Sequence, residues 1–204
     1  MITENINYYF LITVNAIVAI CTLSLTIFII ENFITAKKDK SIRKQKKSIV
    51  ETFSMSCFFV LIYLLYRFHI GAFNIEDYYY QLSILGVTFV IFGTTINIWG
   101  RMSLGLNWGN QVRIYDTHNL VEDGPYKYVR HPLYASLILI CYGIALVYTN
   151  YLIFLANTII FIPAMIYRAK QEEKLLVETF GEYKEYMSRV GMLFPNMFYV
   201  RKTN

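Results

Sequence analysis

The apolar positions of this chain gather into five runs, each to be measured against the roughly 20 residues needed to cross a bilayer core. Residues 8–34 carry a single acid, Glu31, close to the end of the run, and residues 49–70 carry Glu51 near one end and Arg67 with His69 near the other. Residues 79–99 hold no charge. The last two runs, 133–148 and 152–167, are also uncharged and are shorter, about 24 Å each at the usual helical rise. Only Thr149, Asn150 and Tyr151 separate them, a connection that suits a tight helical hairpin. The pattern predicts an all-α integral membrane protein with five transmembrane helices, the last two forming that hairpin, in one domain over residues 1–204.

Charge then orients the runs. The stretch Ala36 to Lys47 holds seven Lys or Arg against one Asp, and the positive-inside rule puts it in the cytoplasm. The N-terminus, the acidic turn at Glu76 and Asp77 and the hairpin tip at Asn150 then lie outside. Residues 101–130 and everything after Arg168 lie inside. Of the 19 basic residues only Arg67 falls near the outer surface, which agrees with five crossings. The basic loop thus acts as a topological signal, and specific lipid recognition is not needed to explain it.

Composition narrows the class further. With 56% hydrophobic and 16% charged residues and a mean hydropathy of +0.40, the chain departs from a soluble enzyme, in which roughly a quarter of residues are charged. A disordered chain and a nucleic-acid-binding domain fall for the same reason. The first run is too long for the apolar region of a cleavable signal and no positive residue precedes it, so it reads as a retained helix. Cys21, Cys57 and Cys141 sit singly in different apolar runs, without CxxC spacing or nearby His, so they predict buried packing residues and no metal site. Abundant Ile, Lys, Asn and Tyr suit an AT-rich prokaryotic genome, in which case the membrane is the cytoplasmic one.

Two polar segments on the cytoplasmic face are left to carry chemistry, residues 100–134 and 168–195. In the first, Gly124-Pro125 breaks any helix and His131-Pro132 starts the fourth span, since proline suits a first helical turn. Arg130 and His131 therefore stand at a helix N-terminus, where unpaired N–H groups and partial positive charge favour an anion. Marking the lipid headgroup boundary is the plainer explanation of the same pair. In the second segment Leu175, Leu176, Phe180, Tyr183 and Tyr186 fall at mostly helical spacing with a break at Gly181, an interfacial helix pair. Arg168 and Glu172 share a face, while Glu173 is turned about 100° away. Either this is a simple helical ion pair, or Glu172 faces Arg130 and His131 across a cleft that would hold a zwitterionic amino-acid moiety.

The sequence GPYKYVRHPLY, an uncharged hairpin, then RAKQEE and FGEYKEYMSRV, from Gln111 to Val190, resembles the isoprenylcysteine carboxyl methyltransferase family and its relatives among membrane phospholipid methyltransferases. The resemblance implies S-adenosylmethionine as cofactor, held by these two blocks rather than by a Rossmann domain, and the chain has no GxGxxG after any strand. By position it implies cofactor contacts at Gln111, His118, Asn119, Leu120, Val121, Tyr126, His131, Pro132, Leu133, Tyr134 and Glu172. It implies substrate binding at Arg168 and catalytic roles for Arg168 and His131. Ser136 departs from the pattern, since glycine often follows RHPxYx, which puts a close helix approach there in question.

The function expected is methyl transfer to a lipid-linked or hydrophobic acceptor that enters from the bilayer. The acceptor is either a carboxylate, as in isoprenylcysteine O-methylation, or an amine, as in phospholipid N-methylation. Membrane lipids are the other partner; nucleic acid and metal are not expected. Two rivals remain. An NADPH-dependent reductase of the sterol or steroid type shares an RHPxY-like block, but its cofactor needs more phosphate ligands than this loop offers. The other is a non-enzymatic membrane protein that has kept the fold.

Overall fold

The protein's structure is a computed structural model that describes residues 2–36, 42–46, 49–73, 76–105, 112–115 and 120–196. Its helices are α1 (Ile2–Ala36), α2 (Ile49–Arg67), α3 (Tyr79–Leu104), α4 (Pro132–Val147), α5 (Tyr151–Ala156), α6 (Ile162–Thr179) and α7 (Tyr183–Arg189). A π-helical turn, Asn157–Phe161, joins α5 to α6 without interruption. Among the described residues three helical stretches are long and apolar enough to cross a membrane, Tyr8–Glu31, Tyr79–Leu104 and Tyr151–Thr179. Two shorter apolar helices are Ser54–Arg67 and Pro132–Val147.

A two-stranded antiparallel ribbon, β1 (Ile42–Lys46) with β2 (Val112–Tyr115), is the departure from the all-α expectation. It pairs the basic stretch after α1 with the segment after α3, in a register that sets Gln45 opposite Arg113 and Lys46 opposite Val112. Periodicity of apolar residues gives no sign of it, because β1 is almost wholly polar.

The helices pack tightest where α3 meets α4. Gly86, Gly93 and Gly100 recur every seven residues, two helical turns, and so lie on one face of α3. A side chain at Gly86 would come within 2.6 Å of the Gly143 carbonyl on α4, and one at Gly143 within 2.6 Å of the Gly86 carbonyl. Small residues let backbones approach in this way in membrane helices, where burying apolar side chains brings little gain over lipid. Polar side chains bridge the same seam. Asn97 Nδ2 donates to Ser136 Oγ at 2.7 Å, Ser136 donates to the Leu133 carbonyl at 2.8 Å, and Arg101 Nε donates to Asn97 Oδ1 at 2.8 Å. The approach is close at Ser136 too, since a side chain at Gly93 would stand 2.9 Å from its carbonyl oxygen. The residue that departs from the family pattern fits there and adds a hydrogen bond.

The hairpin between α4 and α5 turns at Asn150, whose side chain caps α5 by accepting from Ile153 N at 3.0 Å and donates to Ile70 O at 3.0 Å. The end of α2 is thereby fastened to the hairpin tip, and Gly71 O accepts from Tyr151 N. Helix α2 is also held at Phe58, which stacks on Phe161 with ring centroids 4.5 Å apart, at Tyr66 against Tyr148, and at buried Ile62. Of the three cysteines Cys141 is buried, Cys21 is intermediate and Cys57 is exposed on α2. The expectation of buried packing therefore fails for Cys57, because α2 turns much of its apolar surface outward.

The run expected to end at Tyr167 continues as helix to Thr179. At 29 residues this stretch is about 43 Å long, more than a hydrocarbon core of about 30 Å. Its last turns carry Arg168, Glu172 and Glu173. The helix stops beside Gly181, where a break was expected, and α7 folds back from Tyr183.

Candidate functional site

Three pieces of chain meet beyond the end of the α3–α4 seam: the turn leading into α4, the extension of α6, and α7 with the residues after it. Pro132 is the first residue of α4 and His131 its N-cap, as the dipeptide suggested. Upstream, Gly124 has φ +62° and a side chain there would collide with Ser103 Oγ, so only glycine allows the 3-10 turn Gly124–Lys127 to sit against α3. That turn buries Pro125 and Tyr126.

The segment Val129 to His131 is strapped to the chain beyond α7. Arg130 N donates to Gly191 O at 2.8 Å and His131 N to Met192 O at 3.0 Å. Arg130 Nε pairs with Glu173 Oε1 at 2.7 Å, and its Nη1 donates to Met187 O at 3.1 Å and to Val190 O. Those carbonyls belong to the end of α7, where unpaired C=O groups attract a cation. The side chains of Arg130 and Glu173 are 8% and 7% exposed, so this is a buried, hydrogen-bonded pair. The anion expected at the start of α4 is thus supplied by the chain itself, as Glu173.

Glu172 is in a different situation. Its side chain is 24% exposed, its Oε1 accepts from Tyr134 Oη, and the same oxygen lies 3.6 Å from Arg168 Nε. Its Oε2 lies 3.6 Å from His131 Nδ1, while His131 Nε2 is 3.2 Å from Glu173 Oε1. The imidazole therefore stands between the two carboxylates and stacks on Tyr134 at 5.5 Å with planes 7° apart. Arg168 Nε donates to Tyr134 Oη at 2.9 Å, its Cζ lies 5.9 Å from the centre of that ring, and Nη1 meets Met55 Sδ at 3.1 Å. Glu173 was expected to point away; both acids reach the site because Arg130 and His131 approach α6 from the side between them.

Tyr126 lies beneath this group, its carbonyl accepting from Tyr186 Oη at 2.6 Å. Burial pushes the Tyr126 hydroxyl far above the usual phenol range, and the charge of Glu172 pushes it further. Burial raises Tyr183 and Tyr186 as well. All three remain O–H donors at any working pH. Tyr183, Tyr186 and Val190 form a small core with Leu120 packed against it.

Of the residues singled out from sequence, Tyr126, His131, Tyr134, Arg168 and Glu172 converge here. Pro132 is buried in the first turn of α4, and Leu133 turns toward α3, against Gly100. Leu120 packs against the Tyr183, Tyr186 and Val190 core on the α7 side, and Val121 is half-buried. Gln111, His118 and Asn119 lie outside the described residues. Sequence reasoning passed over Glu173, the α7 strap and Met55. The pair of adjacent acids was a usable signal for the first; nothing in the featureless apolar run of α2 marks the last. Among the described residues no three His, Cys, Asp or Glu are grouped to hold a metal ion.

Comparison with known proteins falls on the same stretch. Residues 85–178 match the isoprenylcysteine carboxyl methyltransferase (ICMT) family. Over this segment, a little under half of its length, the chain is similar to the ICMT family. The ICMT segment takes in most of α3, all of α4 and α5, and α6 as far as Glu178, and leaves α1, α2 and α7 outside. A probable protein-S-isoprenylcysteine O-methyltransferase of Oryza sativa subsp. indica is 30% identical over 120 residues, 57% of this chain and 63% of its own length. The protein-S-isoprenylcysteine O-methyltransferase of Xenopus laevis is 30% identical over 117 residues, 56% of this chain and 41% of its own. Methanethiol S-methyltransferase 1 of Bradyrhizobium diazoefficiens is 39% identical over 71 residues, 34% of this chain and 24% of its own. The chain spans less than two thirds of the length of each of these relatives.

Proposed function

We propose that the protein is a membrane-embedded S-adenosylmethionine-dependent methyltransferase whose acceptor is lipid-linked or hydrophobic. The observation that carries this reading is the meeting of Tyr126, His131, Tyr134, Arg168 and Glu172 at one end of the ICMT segment. The donor set suits the cofactor. Glu172, more open than Glu173, can face an ammonium group, and Tyr134 offers aromatic surface of the kind that attracts cations. When bound, the cofactor supplies a methyl group on a sulfonium, a strong electrophile.

The chain's own part is then positioning. Holding two reactants in near-attack geometry is worth about 7–11 kcal/mol. His131 and Tyr134, stacked and fixed by both acids, orient Glu172, and Arg168 would align an acceptor carboxylate, which is already ionised and needs no base. Carboxyl O-methylation is therefore the form of the reaction this site suits best. The segments 100–134 and 168–195 are the cofactor-binding blocks in this reading, with Gln111, His118, Asn119, Leu120 and Val121 completing the first.

The same reading takes all five apolar runs as spans, with the N-terminus outside and the basic loop, the site and the C-terminus in the cytoplasm. It is tested with full-length protein in detergent by comparing thermal stabilisation by S-adenosylmethionine, S-adenosylhomocysteine and NADPH. A ligand at 100 times its Kd adds about 2.7 kcal/mol, a clear upward shift in melting temperature. The first two ligands should give it. A shift with NADPH alone, or with none of the three, overturns the reading.

A further inference from the structure

The guanidinium of Arg168 is engaged on more than one edge. Nε faces Tyr134 Oη and Glu172, the groups to which the cofactor was assigned. On a different edge Nη1 donates to the sulfur of Met55, 3.1 Å away on α2. A thioether is a weak acceptor carried on a flexible unbranched chain, so it is a poor partner for a buried cation and moves easily. A carboxylate is a far stronger one, and matches the planar fork of arginine.

Met55 shares a face of α2 with Phe58 and Ile62, its two most buried residues among those described, and lies one turn before the first of them. Met55 is itself packed against the cluster that holds Phe58 and Phe161. Beside it, Phe59, Val60 and Leu64 are exposed, a continuous apolar surface for a hydrophobic tail. Helix α2 also lies outside residues 85–178, so this contact comes from a part of the chain that the ICMT match does not reach.

We infer that α2 is the acceptor-side wall of the site and that Met55 holds the place taken by the carboxylate of a hydrophobic acceptor, which makes it the specificity-determining residue. The inference rests on the methyltransferase reading for the word acceptor; the anion selectivity it implies stands or falls separately. The test uses full-length protein in detergent and two probes, an S-isoprenylcysteine free acid and the matching carboxamide, alongside S-adenosylmethionine. Wild type should bind the acid at least about tenfold more tightly than the amide. Met55→Glu, which brings its own carboxylate to Arg168, should reduce that ratio to near one while cofactor affinity changes less than about twofold. Met55→Gln, neutral and of similar shape, should give an intermediate ratio and carries the test alone if the glutamate variant does not fold.

An unchanged ratio in the variants, or equal binding of acid and amide by wild type, overturns the inference. Loss of cofactor binding as large as the loss of acid binding overturns it too, by moving Met55 to the cofactor side. Selective acid binding by a wild type that ignores S-adenosylmethionine would instead remove the methyltransferase reading and leave the role of Met55 intact.

Discussion

Helices α3 and α4 touch backbone to backbone, whereas α2 touches its neighbours through a few large side chains. The first seam is lined by Gly86, Gly93, Gly100 and Gly143 and bridged by Asn97 and Ser136, so it has almost no freedom to slide. The second depends on the rings of Phe58, Phe59 and Tyr66 against Phe161 and Tyr148, on buried Ile62, on Met55 against Arg168 and on the hydrogen bonds at Asn150, and leaves much of α2 exposed. The ICMT segment coincides with the first and excludes the second. On the proposed reading a rigid frame carries the residues assigned to the cofactor, and a more lightly attached helix supplies the side on which substrates would differ.

Glu173 gives the strongest way to break that contrast. Removing one partner of a buried ion pair costs about 3–5 kcal/mol, because the other charge is left uncompensated. Glu173→Ala should accordingly unfold far earlier in a detergent melt and release α7 to limited proteolysis; a melt close to wild type would show that the strap is not structural. Next in size is Gly86→Ala, whose new methyl meets the Gly143 carbonyl and Val147 at 2.6–2.8 Å. Overpacking of this kind costs about 1–3 kcal/mol. The melting temperature should fall and the ligand-induced shift should shrink with it, since the frame is shared with the site. The smallest effect is expected on α2. Phe58→Leu keeps most of the buried apolar volume, loses a ring stack worth about 0.5–1.5 kcal/mol and should leave cofactor affinity near wild type. A larger loss of cofactor affinity in Phe58→Leu than in Gly86→Ala would reverse the comparison.

Much of this was readable before any coordinates. The apolar runs correspond to helices, His131-Pro132 does start α4, and Arg168 with Glu172 does lie on the α6 face that meets Tyr134. What escaped was set by contacts between segments distant in sequence. The role of Glu173 depends on Arg130, 43 residues earlier, coming down beside α6 rather than across from it. The strap depends on Gly191, where a side chain would collide with the Phe194 carbonyl, and on carbonyls that no sequence pattern marks. Met55 is one apolar residue among many, and its partner lies 113 positions away. The ribbon was missed for a different reason: strand pairing of a basic segment follows from where α3 ends, not from its own residues.

The central claim is that the two adjacent acids divide their work, Glu173 holding the structure and Glu172 facing the cofactor. It is tested most directly by titrating S-adenosylmethionine into full-length wild type and Glu172→Gln in a calorimeter, with the melting temperature of each recorded in parallel. The variant should melt within about 2 °C of wild type and bind at least about tenfold more weakly, a loss of about 1.4 kcal/mol. Wild-type affinity in Glu172→Gln would contradict the claim.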